Sequence, residues 1–179
     1  MLQDQLREIF YSTLDEFLAT EADSILTDCS EQMLCGRLAI ILERRSLEAG
    51  FSGYKADVEY NRNFEAKIKT IINEFYQAIP IRCDLILHSR GKFAKDNLIA
   101  IEMKKQAHAE KDRQRDRERL KAMTRPTYDN RWDPLSGTPP EHIRDYEVGF
   151  LLIINRNNRS IRIEEYIGGD RTKVKRKPF

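Results

Sequence analysis

Residues 81–88 read IRCDLILH and residues 98–104 read LIAIEMK, with the turn-forming run Ser89-Arg90-Gly91-Lys92 after the first. Each is a short apolar run of strand length, and the turn residues between them predict an antiparallel pair. Each also carries acid where a buried strand should not. Asp84 precedes Leu85-Ile86-Leu87, and aspartate is disfavoured in strands. Glu102 and Lys104 follow Leu98-Ile99-Ala100-Ile101, and with a period of two they share one face while Ile101 and Met103 share the other. If the strands pair through the 89–97 connection, residues whose numbers sum to about 186 face each other, which sets Asp84 opposite Glu102. Adjacent carboxylates repel. A divalent cation between them turns repulsion into chelation, because hard cations such as Mg²⁺ take oxygen ligands, commonly one or two carboxylates plus waters and phosphate.

Outward from this pair, the rest of the chain fits a mixed α/β architecture with a central sheet. Residues 2–19 predict an amphipathic helix with Leu2, Leu6, Ile9, Phe10, Thr13 and Phe17 on one stripe. Asp28 and Glu31 suit a capping box for a helix over 30–49, ended by Gly50. The centre of that helix, LCGRLAIIL, is apolar on nearly every side and leads into Glu43. Residues 54–61 alternate as a strand, and 64–79 have helical spacing up to Pro80. Residues 107–124 predict a very polar helix that flanks the fold rather than filling it. Residues 125–145 hold four prolines and read as a long irregular loop. Two more strands follow at 146–154 and 160–167. The tail 171–179, RTKVKRKPF, is basic and expected to fray.

The 179 residues suit a single domain. Charged residues make up 34% against a usual level of about 25%, yet 31 basic and 29 acidic residues leave a net charge of only +2. That balance does not mark a nucleic-acid binder, so local clustering must carry any electrostatic case. Cys29, Cys35 and Cys83 form no CxxC pair, and their odd number argues against a disulfide framework. A reducing, cytoplasmic setting is the expectation. No apolar stretch reaches membrane-spanning length.

Asp84, then 17 residues, then Glu102-Met103-Lys104 resembles the D…ExK signature of the PD-(D/E)XK nuclease superfamily. Position 83 is Cys rather than the proline of the name. The resemblance covers roughly residues 30–165. It implies a restriction-endonuclease-like core in the order α-β-β-β-α-β, with 2–19 as an accessory helix. It also implies that Asp84 and Glu102 ligate Mg²⁺ or Mn²⁺ with help from the Met103 carbonyl, and that Lys104 orients the attacking water. Glu43 corresponds to the acid on the preceding helix.

The function that follows is metal-dependent hydrolysis of phosphodiester bonds, in DNA before RNA, in a restriction, phage-defence or repair setting. Gln106, Lys105, Arg62, Arg90 and Lys92 are candidate nucleic-acid contacts. A homodimer is a candidate assembly, since two sites can serve two strands. The residues also admit plainer readings: Asp84 as a turn residue, Glu102 and Lys104 as a charge ladder on a solvated face, and Glu43 as part of a solvated helix end. The alternative function is a catalytically silent nuclease fold acting through a protein partner. A further one is an interaction protein that docks through the apolar stripe of its first helix.

Overall fold

A computed structural model describes residues 1–59, 70–72, 78–80, 83–126 and 145–179. Six strands form one mixed sheet in the order β1-β4-β5-β6-β7-β8. They are β1 (Lys55–Val58), β4 (Leu85–His88), β5 (Asn97–Lys105), β6 (Val148–Asn155), β7 (Ser160–Ile167) and β8 (Asp170–Pro178). All neighbours are antiparallel except β5 and β6, which run parallel through the crossover helix α3 (Glu110–Thr124). The helices α1 (Leu2–Leu26) and α2 (Glu31–Glu48) precede the sheet.

Strand alternation divides the core in two. Leu85, Leu87, Ile99, Ile101, Met103, Phe150 and Leu152 face α1 and α2. Ile86, Ala100, Leu151, Ile153 and Tyr166 face Leu120, Ala122 and Met123 of α3. This accounts for the nearly unbroken apolar runs of β5 and β6, which are covered on both faces.

The chain thus has the expected α/β class, but its full element order differs from α-β-β-β-α-β. Residues 70–72 and 78–80 are short strands, β2 and β3, paired antiparallel, where the spacing over 64–79 predicts a helix. Antiparallel pairing of these two segments overrides a helical period there. The rest of that segment and most of the proline-containing loop lie outside the described residues.

Two further expectations are corrected. The tail does not fray: Asp170–Pro178 is β8, paired with β7 along its length. Its amides on the β7 side find ladder partners, so its charge does not prevent order. Helix α1 is not accessory either. It extends to Leu26, and Leu6, Phe10, Leu14 and Phe17 are fully buried in the larger core. Phe10 stacks on Phe150 of β6 with ring centroids 3.5 Å apart. The stripe on which docking to a partner or a second copy would depend is therefore spent inside the monomer. Helix α2 starts at Ser30, whose hydroxyl accepts from the Met33 N–H, rather than at Asp28. It ends before Gly50, which takes the left-handed conformation at φ 91° that a helix C-terminus favours. All three cysteines are free thiols. Among the described residues, no helix is long and apolar enough to cross a membrane.

Candidate metal centre

Three of the four β4–β5 pairs follow the hairpin arithmetic, Leu85 with Ile101, Ile86 with Ala100 and Leu87 with Ile99, and an irregularity then sets His88 against Asn97. Asp84 stands just before the first pair. Its Oδ2 accepts the Met103 N–H at 2.9 Å, so the carboxylate meets an amide that lies beyond the last strand pair. Glu102 and Lys104 project from the opposite face of β5 to Met103, toward α3. Glu102 is fully buried. Its Oε1 accepts from Arg119 of α3 at 2.6 Å, and among the described residues its Oε2 has no hydrogen-bond partner. An unsatisfied buried carboxylate oxygen is costly enough to need a reason.

Lys104 gathers the acids. Its Nζ lies 3.4 Å from Asp84 Oδ2, 3.4 Å from Glu31 Oε2 and 3.5 Å from Asp116 Oδ2, and it donates to the Met103 carbonyl at 3.1 Å. Arg119 also reaches Asp116 Oδ1 at 3.1 Å. Four elements thus contribute: Glu31 from the start of α2, Asp84 before β4, Glu102 and Lys104 from β5, and Asp116 and Arg119 from α3. Four carboxylates meet the cations Lys104 and Arg119, and His108 Nε2 lies 3.2 Å from Glu31 Oε1.

The ionisation behaviour follows from that imbalance. Burial, then the neighbouring charge of Asp84, pushes the Glu102 carboxyl well above its ordinary range, and Arg119 does not offset them. Burial also raises Asp116 against the pull of Lys104 and Arg119. For Lys104 burial acts downward, but Asp84, Asp116, Glu31 and Glu102 together outweigh it and raise the ammonium. The lysine stays a cation, and the crowding favours a proton on Glu102; a divalent ion would take over that role and let all four carboxylates ionise.

Among the described residues no three His, Cys, Asp or Glu side chains are spaced as a ready-made metal cage. The hard oxygens of Asp84 and the unpartnered Glu102 Oε2 instead fit the two-carboxylate pattern that leaves the remaining positions to water and phosphate. Comparison with family models, curated proteins and solved structures finds no match to this chain.

The structure brings together Asp84, Glu102, Lys104 and the Met103 carbonyl, but not Glu43. The Glu43 carboxylate is held by Lys55 Nζ at 2.7 Å and the Ala56 N–H at 3.0 Å. Ala56 faces Leu87, three residues along β4 from Asp84, or roughly 10 Å. The acid that α2 supplies is Glu31, twelve residues earlier and on the order of 18 Å away along the helix. Lys105 and Gln106 border the site: Lys105 pairs with Asp28 at 2.8 Å and its amide donates to Glu31 Oε1 at 2.8 Å, while the Gln106 side chain is exposed. Arg90 and Lys92 sit in the turn at the far end of β4, where Arg90 is bound to Asp57. Arg62 lies outside the described residues.

Asp116 and Arg119 are the residues sequence reasoning passes over. A signal exists: Arg113, Asp116, Arg117, Leu120 and Met123 recur at helical spacing and are all buried. The charges conceal the stripe, so α3 covers the sheet where its polarity predicts only a flank. The same helix makes a second charged contact. Glu164 of β7 accepts from Arg117 Nε at 2.9 Å and from the Tyr166 hydroxyl at 2.9 Å. Burial opposes its ionisation, but Arg117 and Tyr166 outweigh it and hold the carboxyl down, from 4.5 to about 2.

A depressed carboxyl stabilises the fold fully above its unfolded value and loses that contribution as pH falls through its folded value. Glu164→Gln is therefore expected to be less stable than the parent at neutral pH, with the gap closing between about pH 4.5 and 2. Urea titrations at stepped pH would show it. A gap that stays constant over this range would sink the assignment.

Proposed function

We propose that this chain is a metal-dependent nuclease that hydrolyses phosphodiester bonds in DNA. The observation that carries the reading is the buried Glu102 Oε2, without a hydrogen-bond partner among the described residues and within the influence of Asp84, in a site with more carboxylates than Lys and Arg side chains. Asp84 and Glu102 would hold Mg²⁺ or Mn²⁺, and the ion when bound supplies a Lewis acid and a lowered water pKa. Lys104, kept charged by its ring of carboxylates, would orient the attacking water and meet negative charge developing on the phosphoryl oxygens. Glu31 anchors the Lys104 ammonium and takes the place the resemblance gave to Glu43.

The fold adds support. The elements α2, β1, β4, β5, α3 and β6 run α-β-β-β-α-β, with a three-stranded meander followed by a parallel strand. The full order differs from that of a restriction-endonuclease-like core, since β2 and β3 intervene and α1, β7 and β8 are additional, so this subset supports the reading only by likeness.

One contact favours the silent-module alternative: Arg119 already occupies Glu102 Oε1. The two readings separate on a single preparation. The nuclease reading expects plasmid, linear or single-stranded DNA to be cut with Mg²⁺ or Mn²⁺ and not with EDTA. It also expects Mg²⁺ to raise the melting temperature by mass action, an effect absent from Glu102→Gln. No cleavage of DNA or RNA, together with a melting temperature indifferent to Mg²⁺, would turn the conclusion to a binding module.

A further inference from the structure

The strand register carries side chains across the sheet from the candidate centre. Lys104 faces Ile153, Ile153 faces Arg162, and Arg162 faces Arg176. Directly opposed residues project from the same side of a sheet. That side is the α3 side, since Ile153 packs in the α3 core. At about 4.8 Å per strand, Arg162 lies roughly 10 Å and Arg176 roughly 14 Å from Lys104. Helix α3 covers Ile153 between them. The acidic cluster and the two arginines therefore flank one helix.

The arginines are under-neutralised. Arg162 pairs with Glu164 at 2.9 Å, but Arg117 and Arg171 use the same carboxylate. Arg176 is exposed, and among the described residues its side chain holds no ion pair or hydrogen bond. It belongs to an edge strand, DRTKVKRKP, with a net charge of +4. Charges on an edge strand often serve only to prevent edge-to-edge pairing. That suffices for Lys173, Lys175 and Lys177, which face the α1 side, with Lys175 over the Tyr11 ring and Lys177 paired to Asp15. It does not account for Arg162, which sits on an interior strand.

We infer that Arg162 and Arg176 form a second phosphate-binding edge, across α3 from the acidic cluster, that holds the complementary strand of duplex DNA. The inference rests on the nuclease reading for what lies on the other side of α3. The dimensions agree: a duplex presents its two backbones across a major groove about 12 Å wide, which admits one α-helix. The substrate class is thereby narrowed to double-stranded DNA.

The test is fluorescence anisotropy of the full chain in EDTA, over a series of NaCl concentrations. The probes are a labelled duplex of ~30 base pairs, about three helical turns, and a single strand of the same sequence. Each lost phosphate contact should lower the slope of log affinity against log salt by about 0.9 on duplex. Arg162→Gln/Arg176→Gln should therefore flatten the duplex slope by about 2 and leave the single-strand slope nearly unchanged. Arg176→Gln alone, whose side chain supports no contact in the fold, should give about half of that change. Lys173→Gln/Lys175→Gln, an equal loss of charge on the α1 side, should leave the duplex slope as it was.

An unchanged duplex slope in the arginine variants overturns the inference. So does an equal loss on single strands, or an equal loss from the lysine variant, which would mark a net-charge effect only. Cleavage by the parent is scored separately with Mg²⁺. A parent that binds with this pattern but does not cut leaves the arginine edge standing and removes the nuclease reading. A parent that cuts without the pattern does the reverse.

Discussion

Glu102→Ala and Lys104→Ala are each expected to lower metal-dependent cleavage by at least roughly 10²–10³-fold, the scale for losing one preorganised electrostatic group at a reacting centre. Glu102→Gln should lose activity to a similar degree yet gain stability. The parent residue is a fully buried carboxylate with an unsatisfied oxygen, raised well above its ordinary range by burial and by Asp84. Removing that charge should stabilise the fold by on the order of 1 kcal/mol at neutral pH, or about 2–4 °C in melting temperature for a chain of this size. The sign can be checked against pH. A carboxyl raised in the folded state costs stability as pH climbs above its unfolded value of 4.5. The advantage of the Gln variant should therefore shrink as pH falls to 4.5. Lost cleavage with lowered stability at every pH would mean that Glu102 is a structural ion-pair partner of Arg119 and nothing more. Unchanged cleavage would remove Glu102 from the chemistry.

Phe10→Ala should cost about 3–5 kcal/mol, the range for truncating a buried aromatic, against a total stability of roughly 5–15 kcal/mol for a domain. Phe10 is fully buried, stacks on Phe150, and meets Tyr11 edge-on at 5.2 Å. The chain should melt far below the parent or fail to fold at ordinary temperatures. The solvent-exposed salt bridges joining α1 to α2, such as Glu16 with Arg45 at 2.7 Å, cannot compensate, since such pairs contribute at most about 1 kcal/mol. A loss under about 1 kcal/mol in a urea titration would show that α1 packs loosely and restore its standing as an appendage.

These two outcomes probe different parts of what the sequence made legible. The stripe Leu2, Leu6, Ile9, Phe10, Thr13 and Phe17 was readable as one helical face, and all but the half-buried Leu2 are buried. What that face packs against was not readable, because an amphipathic helix has the same pattern whether it meets its own sheet or a partner. Helix α3 shows the converse. Its buried positions include Arg113, Asp116 and Arg117, and a stripe of charged residues carries no hydrophobic period. Only the arrival of Glu102, Lys104 and Glu164 opposite those charges makes their burial tolerable.

The sequence by itself determined the β4–β5 pair, its register and the shared face of Glu102 and Lys104. Strand alternation and the length of a hairpin connection are local, so residue arithmetic suffices. Only the tertiary structure decided which acids complete the centre. A helix such as α2 can present its start or its end to a sheet edge, and Glu31 and Glu43 are equivalent candidates until packing sets its position. The core contacts of Leu34, Leu38 and Leu42 set it. They bring the start of α2 to Lys104 and leave Glu43 beside β1, where Lys55 neutralises it.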